Sequence, residues 1–167
     1  MVLDGYEAIT IARSAAHQQT DRVNPYGLHL GNRLPAHATS AGKILLAYLD
    51  DQEQCEWLNQ YPLQRLTKYT HTNNETFLAL LHEIREQGWC YSCEEHELGV
   101  HALAVPIYGQ QLKVIAALKG APSTQLVVYP PSPSGLSIFR TNTHSVIACA
   151  KRLIVASSIR LGGHERQ

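Results

Sequence analysis

The sequence predicts an α+β domain, in which short strands form a sheet and helices cover one of its faces. Segments of alternating apolar and polar residues stand among segments whose apolar residues recur at helical spacing. The last two predicted strands are joined by a turn at Gly109-Gln110 as a hairpin. With 167 residues and 44% hydrophobic content, the chain is long enough for one domain with a real core. We expect that domain to comprise residues 1–163, followed by a disordered tail over residues 164–167.

The first third of the chain contains two predicted strands and one predicted helix. Residues 7–13 alternate in character and predict a strand, and residues 26–30 predict a second strand after a proline. A Gly-Asn pair at residues 31–32 predicts a turn. Residues 39–49 predict a mainly apolar helix that would pack on a sheet.

Two further helices are predicted in the middle of the chain. Residues 52–60 form the first, and the aspartate pair at residues 50–51 provides its cap. Residues 75–87 form the second, with apolar residues on one face and an asparagine cap at residue 73 or 74. Gly88 ends this helix.

Strands dominate the next part of the chain. They are predicted over residues 89–93, 101–108 and 112–119. A loop rich in proline and serine follows over residues 130–135. Residues 142–161 then predict a final helix, because their apolar side chains recur at helical spacing.

The segment from residue 34 to residue 49 runs from a proline-containing loop into the first predicted helix. Thr39 or Ser40 caps its first turn, since a side-chain oxygen there accepts a hydrogen bond from a free N–H group. Small residues leave the other N–H groups uncovered, and the helix dipole makes this end positive. Such a helix start favours a carboxylate or a phosphate as ligand. The alternative is a plain capped helix packed on a sheet.

Composition excludes several classes of protein. The 14 basic and 14 acidic residues balance, and the sequence shows no basic stripe of the kind that binds nucleic acid. The nearest approach, Lys151-Arg152, is expected on a solvated helix face. No apolar run reaches 18 residues, and no signal peptide begins the chain, so we expect no contact with a membrane. Four cysteines without disulfide spacing predict a reduced, cytoplasmic protein.

A second motif covers residues 88–106 and reads Gly-Trp-Cys-Tyr-Ser-Cys-Glu-Glu-His-Glu-Leu-Gly-Val-His-Ala-Leu-Ala-Val-Pro. It describes a helix end, a short strand, an acidic turn and a strand closed by proline. Together with Leu-Pro-Ala-His-Ala-Thr-Ser-Ala-Gly-Lys at residues 34–43, it strongly resembles the C-terminal effector-binding domain of the IclR family of bacterial transcriptional regulators. Residues 114–122 are similar to the next strand of that family, and the resemblance covers about residues 5–122.

The resemblance implies a GAF/PAS-like fold, a curved antiparallel sheet with a small-molecule pocket under helices and loops. Family members carry a winged helix-turn-helix before this domain, and no such pattern precedes Gly5. We therefore expect an isolated sensor domain, with DNA as a partner only through the absent N-terminal domain. The resemblance also implies a homodimer or homotetramer in the full-length form, although an apolar stripe like that of the late helix is more often core than interface.

The resemblance places an effector between the helix start, the strand after Trp89 and the following hairpin. Acid-binding members carry an acidic residue where this chain has Ser92, and a cysteine can occur where it has Ala102. A pair of serines closes the strand where this chain has Lys119-Gly120. The effector-binding residues implied here are Ala38, Thr39, Ser40, Ala41, Ser92, Ala102, Lys119 and Gly120.

Lys119 is the residue that bears on the chemical class of the effector. Alternation places its side chain on the same strand face as that of Ala117. If that face borders the pocket, the ammonium of Lys119 and the helix start together favour an anionic ligand, a carboxylic or sugar acid. The alternative is that Lys119 extends from the strand end into water.

Histidines and cysteines offer a second class of function. Zinc accepts the ligand types that cluster here, Cys93, Glu94, Glu95, His96 and His101, but their spacing matches no closed zinc pattern. A zinc- or thiol-dependent function would use Cys90, Cys93, His96 and His101. The two cysteines form a Cys-x-x-Cys motif on a predicted strand, where positions three apart face opposite sides. His37 is interpreted as a hydrogen-bonded loop residue at the edge of the pocket.

The sequence thus predicts a ligand-sensing domain that binds a small metabolite, needs no cofactor or metal and has no catalytic residue. Binding would modulate DNA binding by the missing domain and so control transcription of a catabolic operon. The alternatives are a zinc- or thiol-dependent sensor or enzyme that uses the cysteine and histidine cluster, and a GAF-like interaction module whose pocket is filled by side chains.

Overall fold

The computed structural model describes residues 1–12 and 29–120. Two three-stranded antiparallel sheets and three α-helices make up this part of the chain. The loop predicted over residues 130–135, the helix predicted over residues 142–161 and the tail predicted over residues 164–167 lie outside the described residues. The strands are β1 Val2–Asp4, β2 Glu7–Ile9, β3 Arg33–Pro35, β4 Cys90–Cys93, β5 His101–Tyr108 and β6 Val114–Gly120, and the helices are α1 Ser40–Ala47, α2 Asp51–Gln60 and α3 Asn74–Gln87.

The first sheet has the order β1-β2-β3, and every pair in it is antiparallel. A tight turn joins β1 to β2, where Gly5 adopts a φ of 58° in the left-handed region that glycine enters without strain. The edge strand β3 leads directly into a single 3-10 turn over Ala36–Ala38, and α1 follows at once. The first sheet therefore fixes the point at which α1 begins.

The second sheet has the order β4-β5-β6, again antiparallel throughout. The two sheets meet edge to edge at β1 and β6. The N-terminal amine of Met1 donates a hydrogen bond to the carbonyl oxygen of Ala117 at 2.7 Å, and the backbone N–H of Ala117 donates to the carbonyl oxygen of Met1 at 2.8 Å. Six strands are thereby connected across the described part of the fold.

The helix α1 lies against both sheets and is buried along its whole length. Ile44 and Leu45 pack with Cys90 of β4, Ala104 of β5 and Ala117 of β6 in the core. A mainly apolar helix is expected in such an interior position.

The C-terminal carbonyls of α1 are satisfied by side chains from the other two helices. Gln54 of α2 donates to the carbonyl oxygen of Leu46 at 3.0 Å, and Arg85 of α3 donates to those of Ala47 and Leu49, each at 2.6 Å. The carbonyl oxygen of Leu46 also accepts a hydrogen bond from the backbone N–H of Leu49 at 3.2 Å, so side chains and backbone together satisfy the end of α1.

The helix boundaries agree closely with the sequence-based expectations. Thr39 is the N-cap of α1, and Asp50 caps α2 in a capping box with Glu53. Asn73 caps α3, and Gly88 ends that helix at a φ of 75°.

Several strands differ from the expectations. The strand predicted over residues 7–13 ends at Ile9, and the strand predicted over residues 26–30 is wrong at residues 29 and 30, which enter the turn at Gly31; residues 26–28 are not described. The strand predicted from residue 112 begins at Val114. Residues 110–112 form a 3-10 turn instead, with Gln111 and Leu112 at positive φ.

Candidate functional site

The first turn of α1 forms one wall of the candidate site. The Thr39 side chain accepts a hydrogen bond from the backbone N–H of Gly42 at 3.2 Å, which closes the cap. Ser40 and Ala41 are fully buried directly behind it. The Ser40 hydroxyl has no hydrogen-bond partner among the described residues. A buried helix start therefore presents N–H groups and an unpartnered hydroxyl near the sheet.

The second wall is the face of β4, β5 and β6 that packs on α1. Cys90 pairs with Ala104, which in turn pairs with Lys119, so these three residues share one sheet face. Ser92 pairs with Ala102 on the same face, two residues further along each strand. Because Cys90 and Ala104 lie in the core cluster beside α1, this face is the one turned to the helix.

The predicted effector residues are brought together to different degrees. The Ser92 hydroxyl donates to the carbonyl oxygen of Ala38 at 3.4 Å, so β4 contacts the turn before α1. Ala102 is buried beside Ser92. Gly120 pairs with Leu103, so its register position is on the opposite face from Lys119.

The Lys119 side chain is half-buried on the face turned to α1. Burial lowers the pKa of its ammonium, because desolvation disfavours the charged form. Within residues 1–12 and 29–120, no hydrogen bond or ion pair holds this ammonium. An anion entering beside it would supply the missing counter-charge.

His96 lies near this end of the sheet, in the turn between β4 and β5. Burial lowers the pKa of His96; the carboxylate of Glu97 opposes that effect, and the positive charge of Lys119 adds to it. From the sequence, His96 is only a candidate zinc ligand, and its position near Lys119 is not predicted. No sequence signal distinguishes it from the other polar residues of the acidic turn, because its position depends on the β4–β5 register.

His37 is a buried connecting residue behind α1. Its Nε2 donates to the carbonyl oxygen of Gln64 at 2.9 Å, which leaves Nδ1 to accept from the Tyr6 hydroxyl at 3.1 Å. This assignment requires a neutral ring. Burial lowers the pKa of His37, and the hydrogen bond to Gln64 opposes that effect. His37 is therefore a hydrogen-bonded loop residue, as the sequence predicts.

The free energy of unfolding is expected to decrease as the pH decreases, and His37 contributes to this decrease. Its folded-state pKa lies below the ordinary value of 6.5, so the stabilisation is present above pH 6.5 and is lost as the pH falls through the lowered value. Urea unfolding of the wild type and of His37→Gln from pH 8 to pH 5 measures it. His37→Gln should show a shallower loss, and the exposed-site variant His82→Gln is the control. Equal slopes in the wild type and His37→Gln would contradict the assignment.

A buried ion pair, which the sequence did not predict, joins α1 to the β4–β5 turn. The ammonium of Lys43 lies 2.5 Å from Oε1 of Glu95, and the two side chains are 1% and 7% exposed. No local sequence pattern indicates this pair, because Glu95 follows Lys43 by 52 residues. Both charges lie behind the first turn of α1.

The alternative cysteine and histidine chemistry finds little support in the geometry. Cys90 points into the core and Cys93 is exposed on the other face. Burial raises the pKa of the Cys90 thiol to about 11, and burial with two nearby carboxylates raises that of Cys93. His101 Nδ1 lies 2.8 Å from the Tyr91 hydroxyl. The described residues contain no group of three or more histidine, cysteine or acidic side chains placed to hold a metal ion.

No helix in the described part of the chain combines the length and the apolar character needed to cross a bilayer.

Comparison with known proteins gives one family match and many relatives. The family described as "Bacterial transcriptional regulator IclR C-terminal" matches residues 1–126. The chain is 89% identical over 118 residues to the Pca operon regulatory protein of Acinetobacter baylyi. The aligned segment covers 71% of this chain and 42% of that protein. It is 52% identical over 128 residues to the p-hydroxybenzoate hydroxylase transcriptional activator of the same organism, covering 76% of this chain and 47% of the relative. The chain thus spans less than half the length of these two relatives.

Solved structures agree with this match. The inducer-binding domain of the transcription factor PobR from Acinetobacter, a double mutant in complex with 3-hydroxybenzoic acid, superposes with a TM-score of 0.72 at 44% identity, covering 96% of this chain and 83% of that one. An IclR homologue from Microbacterium hydrocarbonoxydans in complex with 4-hydroxybenzoate gives a TM-score of 0.65 at 26% identity, covering 93% and 59%. Both have the mixed helix and antiparallel sheet architecture described above.

Proposed function

This chain belongs to the IclR family of bacterial transcriptional regulators, and we propose that it is an effector-binding domain whose ligand is a small aromatic hydroxy acid. One observation carries the proposal. The first turn of α1 and the ammonium of Lys119 lie on the same side of the second sheet, and no described residue neutralises that ammonium. Both groups favour a carboxylate.

Small side chains stand between these two groups and would suit a flat ring. Ala102 and Ala104 line the sheet face and Ala38 and Ala41 line the helix side, and all four are buried and small. Ligand sites commonly combine such apolar lining with a few polar groups that fix orientation. Ser40, Ser92 and His96 would supply those groups, with Thr39 shaping one end of the site. Two structural relatives that were solved in complex with a hydroxybenzoate support this class.

Regulation would follow from differential binding. We infer that the effector has different affinities for two states of the regulator, so that its binding shifts their populations. In the full-length protein the shift would change DNA binding by a winged helix-turn-helix and thereby control a catabolic operon. The regulator would act in the cytoplasm as a homo-oligomer. It would have no chemistry of its own, because burial raises the pKa values of both cysteine thiols of β4 and so disfavours the reactive thiolate.

A hydroxybenzoate binding experiment tests this function. Calorimetry with 3-hydroxybenzoate and 4-hydroxybenzoate, supported by thermal shift, should show binding to the wild type, since a ligand of the native state alone raises the midpoint. Hydroxybenzyl alcohol, which lacks the carboxylate, should bind much more weakly. Lys119→Met should weaken acid binding about 10-fold to 100-fold, the range expected for one charge-assisted contact.

The matched control is Lys113→Met, which removes an exposed lysine from the β5–β6 connection. It should leave affinity unchanged, and both lysine variants should keep the wild-type unfolding midpoint. The proposed function would be overturned if the wild type bound neither hydroxybenzoate and no other organic acid in a broad panel. Equal binding of the acid and the alcohol would overturn the carboxylate assignment.

A further inference from the structure

The buried pair of Lys43 and Glu95 is the feature that the proposed function leaves unexplained. Lys43 is the fourth residue of α1, three positions after Ser40, so both side chains lie on the same side of the helix. Glu95 belongs to the turn between β4 and β5, next to His96. The ion pair therefore connects the two segments that border the candidate effector site.

Stability alone is a poor explanation for this pair. Removing two charges from water costs several kcal/mol per ion, and a well-packed apolar pair of similar size is often as stable. The Glu95 carboxylate is also incompletely satisfied. Its Oε2 accepts no hydrogen bond from the described residues and lies 3.9 Å from Nε2 of His71. The pair is better explained by the two segments that it joins, because it sets the position of α1 relative to the β4–β5 turn.

Further hydrogen bonds extend the connection to a third segment, the connection between α2 and α3 over residues 61–73. The Thr70 hydroxyl donates to the carbonyl oxygen of Glu95 at 2.7 Å, and the Thr67 hydroxyl donates to that of Glu94 at 2.7 Å. The same connection accepts the hydrogen bond from His37, just before α1. The start of α1, the β4–β5 turn and the 61–73 connection are thus joined by hydrogen bonds and an ion pair next to the site.

We propose that Lys43 and Glu95 are positioning residues for the effector, because their buried ion pair sets the placement of the first turn of α1 against the β4–β5 turn. The proposal rests on the proposed function. The N–H groups of Ser40 and Ala41 recognise a carboxylate only if they are held at hydrogen-bond distance from it. Small displacements of one wall relative to the other would therefore change affinity without changing the fold.

The test separates positioning from stability with paired variants of the whole chain. Lys43→Met leaves the Glu95 carboxylate buried and unpaired, so it should lower the unfolding midpoint strongly. Lys43→Met/Glu95→Leu replaces the pair with apolar residues and should recover most of that midpoint. Its Kd for 4-hydroxybenzoate should nevertheless be raised at least about 10-fold, a free-energy change of about 1.4 kcal/mol. Glu95→Gln, which keeps the size of the side chain, should raise the Kd in the same direction if the double variant does not fold.

Leu46→Ala is the control for instability. It removes a buried side chain at the far end of α1 and should lower the midpoint while leaving the Kd of the folded protein unchanged. Amide hydrogen exchange provides a readout that needs no ligand: the Ser40 and Ala41 amides should exchange faster in the double variant and not in Leu46→Ala.

The outcomes distinguish the two proposals. A wild-type Kd in the double variant, with binding intact in the wild type, would overturn the positioning role alone. Absence of binding in the wild type would overturn the proposed function. In that case unchanged exchange of the Ser40 and Ala41 amides would overturn positioning as well, and faster exchange would support it.

Discussion

Replacing Gly42 with alanine is expected to destabilise the domain by at least about 3 kcal/mol, the upper part of the range for overpacked sites. A Cβ at this position would lie 2.2 Å from the carbonyl oxygen and 2.3 Å from the Cα of Ala36. Both are backbone atoms, so no side-chain rotation relieves the contact. The turn before α1 would have to move away from the helix, and the candidate site lies at that junction. Urea unfolding followed by circular dichroism measures the loss.

Gly88→Ala is the matched control for losing a glycine. Gly88 has a φ of 75°, and a Cβ there would meet no atom within 4 Å. The control therefore carries only the cost of a left-handed conformation, about 1–2 kcal/mol. If Gly42→Ala costs no more than Gly88→Ala, the close approach of α1 to Ala36 does not determine the stability of this junction.

Trp57→Ala is expected to cost about 3–5 kcal/mol, the range for truncating a large aromatic residue in a core. Trp57 is 7% exposed and stacks on Tyr6, with ring centroids 6.0 Å apart and an interplanar angle of 6°. It also packs against Tyr61, and its Nε1–H donates to the carbonyl oxygen of Gly5 at 2.8 Å. Since Tyr6 donates to His37, the loss should also loosen the turn before α1.

Trp57→Phe separates the two roles of the indole. It keeps an aromatic ring and removes the N–H donor, so it should cost about 0.5–1.5 kcal/mol for the lost hydrogen bond to the carbonyl oxygen of Gly5. Equilibrium unfolding of both variants gives the comparison. The explanation fails if Trp57→Phe is as damaging as Trp57→Ala, because ring packing would then contribute nothing measurable.

Local signals in the sequence predict most of the described helices. Caps and terminators act within a few residues, so Thr39, Asn73 and Gly88 mark helix ends that the structure confirms. Alternation also places Lys119 and Ala117 on one strand face, and the pairing of Lys119 with Ala104 agrees with it. The strands β1 and β3 are each only three residues long, which is too short for an alternating pattern to be detected in the sequence.

The connections behind the candidate site are the part that no local pattern predicts. Lys43 stands in an apolar helix, where a lysine is ordinarily expected to extend its charge to solvent. Its burial depends on Glu95, and the position of Glu95 depends on the register of β4 and β5 and on two threonine hydroxyls of the 61–73 connection. Each of these contacts joins segments that are far apart in the sequence. Local patterns in a single sequence do not indicate which of these distant segments contact each other.

The paired backbone hydrogen bonds between Met1 and Ala117 have a consequence for the order of folding. They join residues 116 positions apart, whereas β5 and β6 are joined by a short turn. Closing a long loop costs more entropy than closing a short one, and contacts of large sequence separation slow the folding rate. We therefore expect the β4–β6 meander to assemble early and the β1–β3 sheet to dock late. The buried start of α1 would then exist only after the slowest step, so binding at the proposed site would report on completed folding.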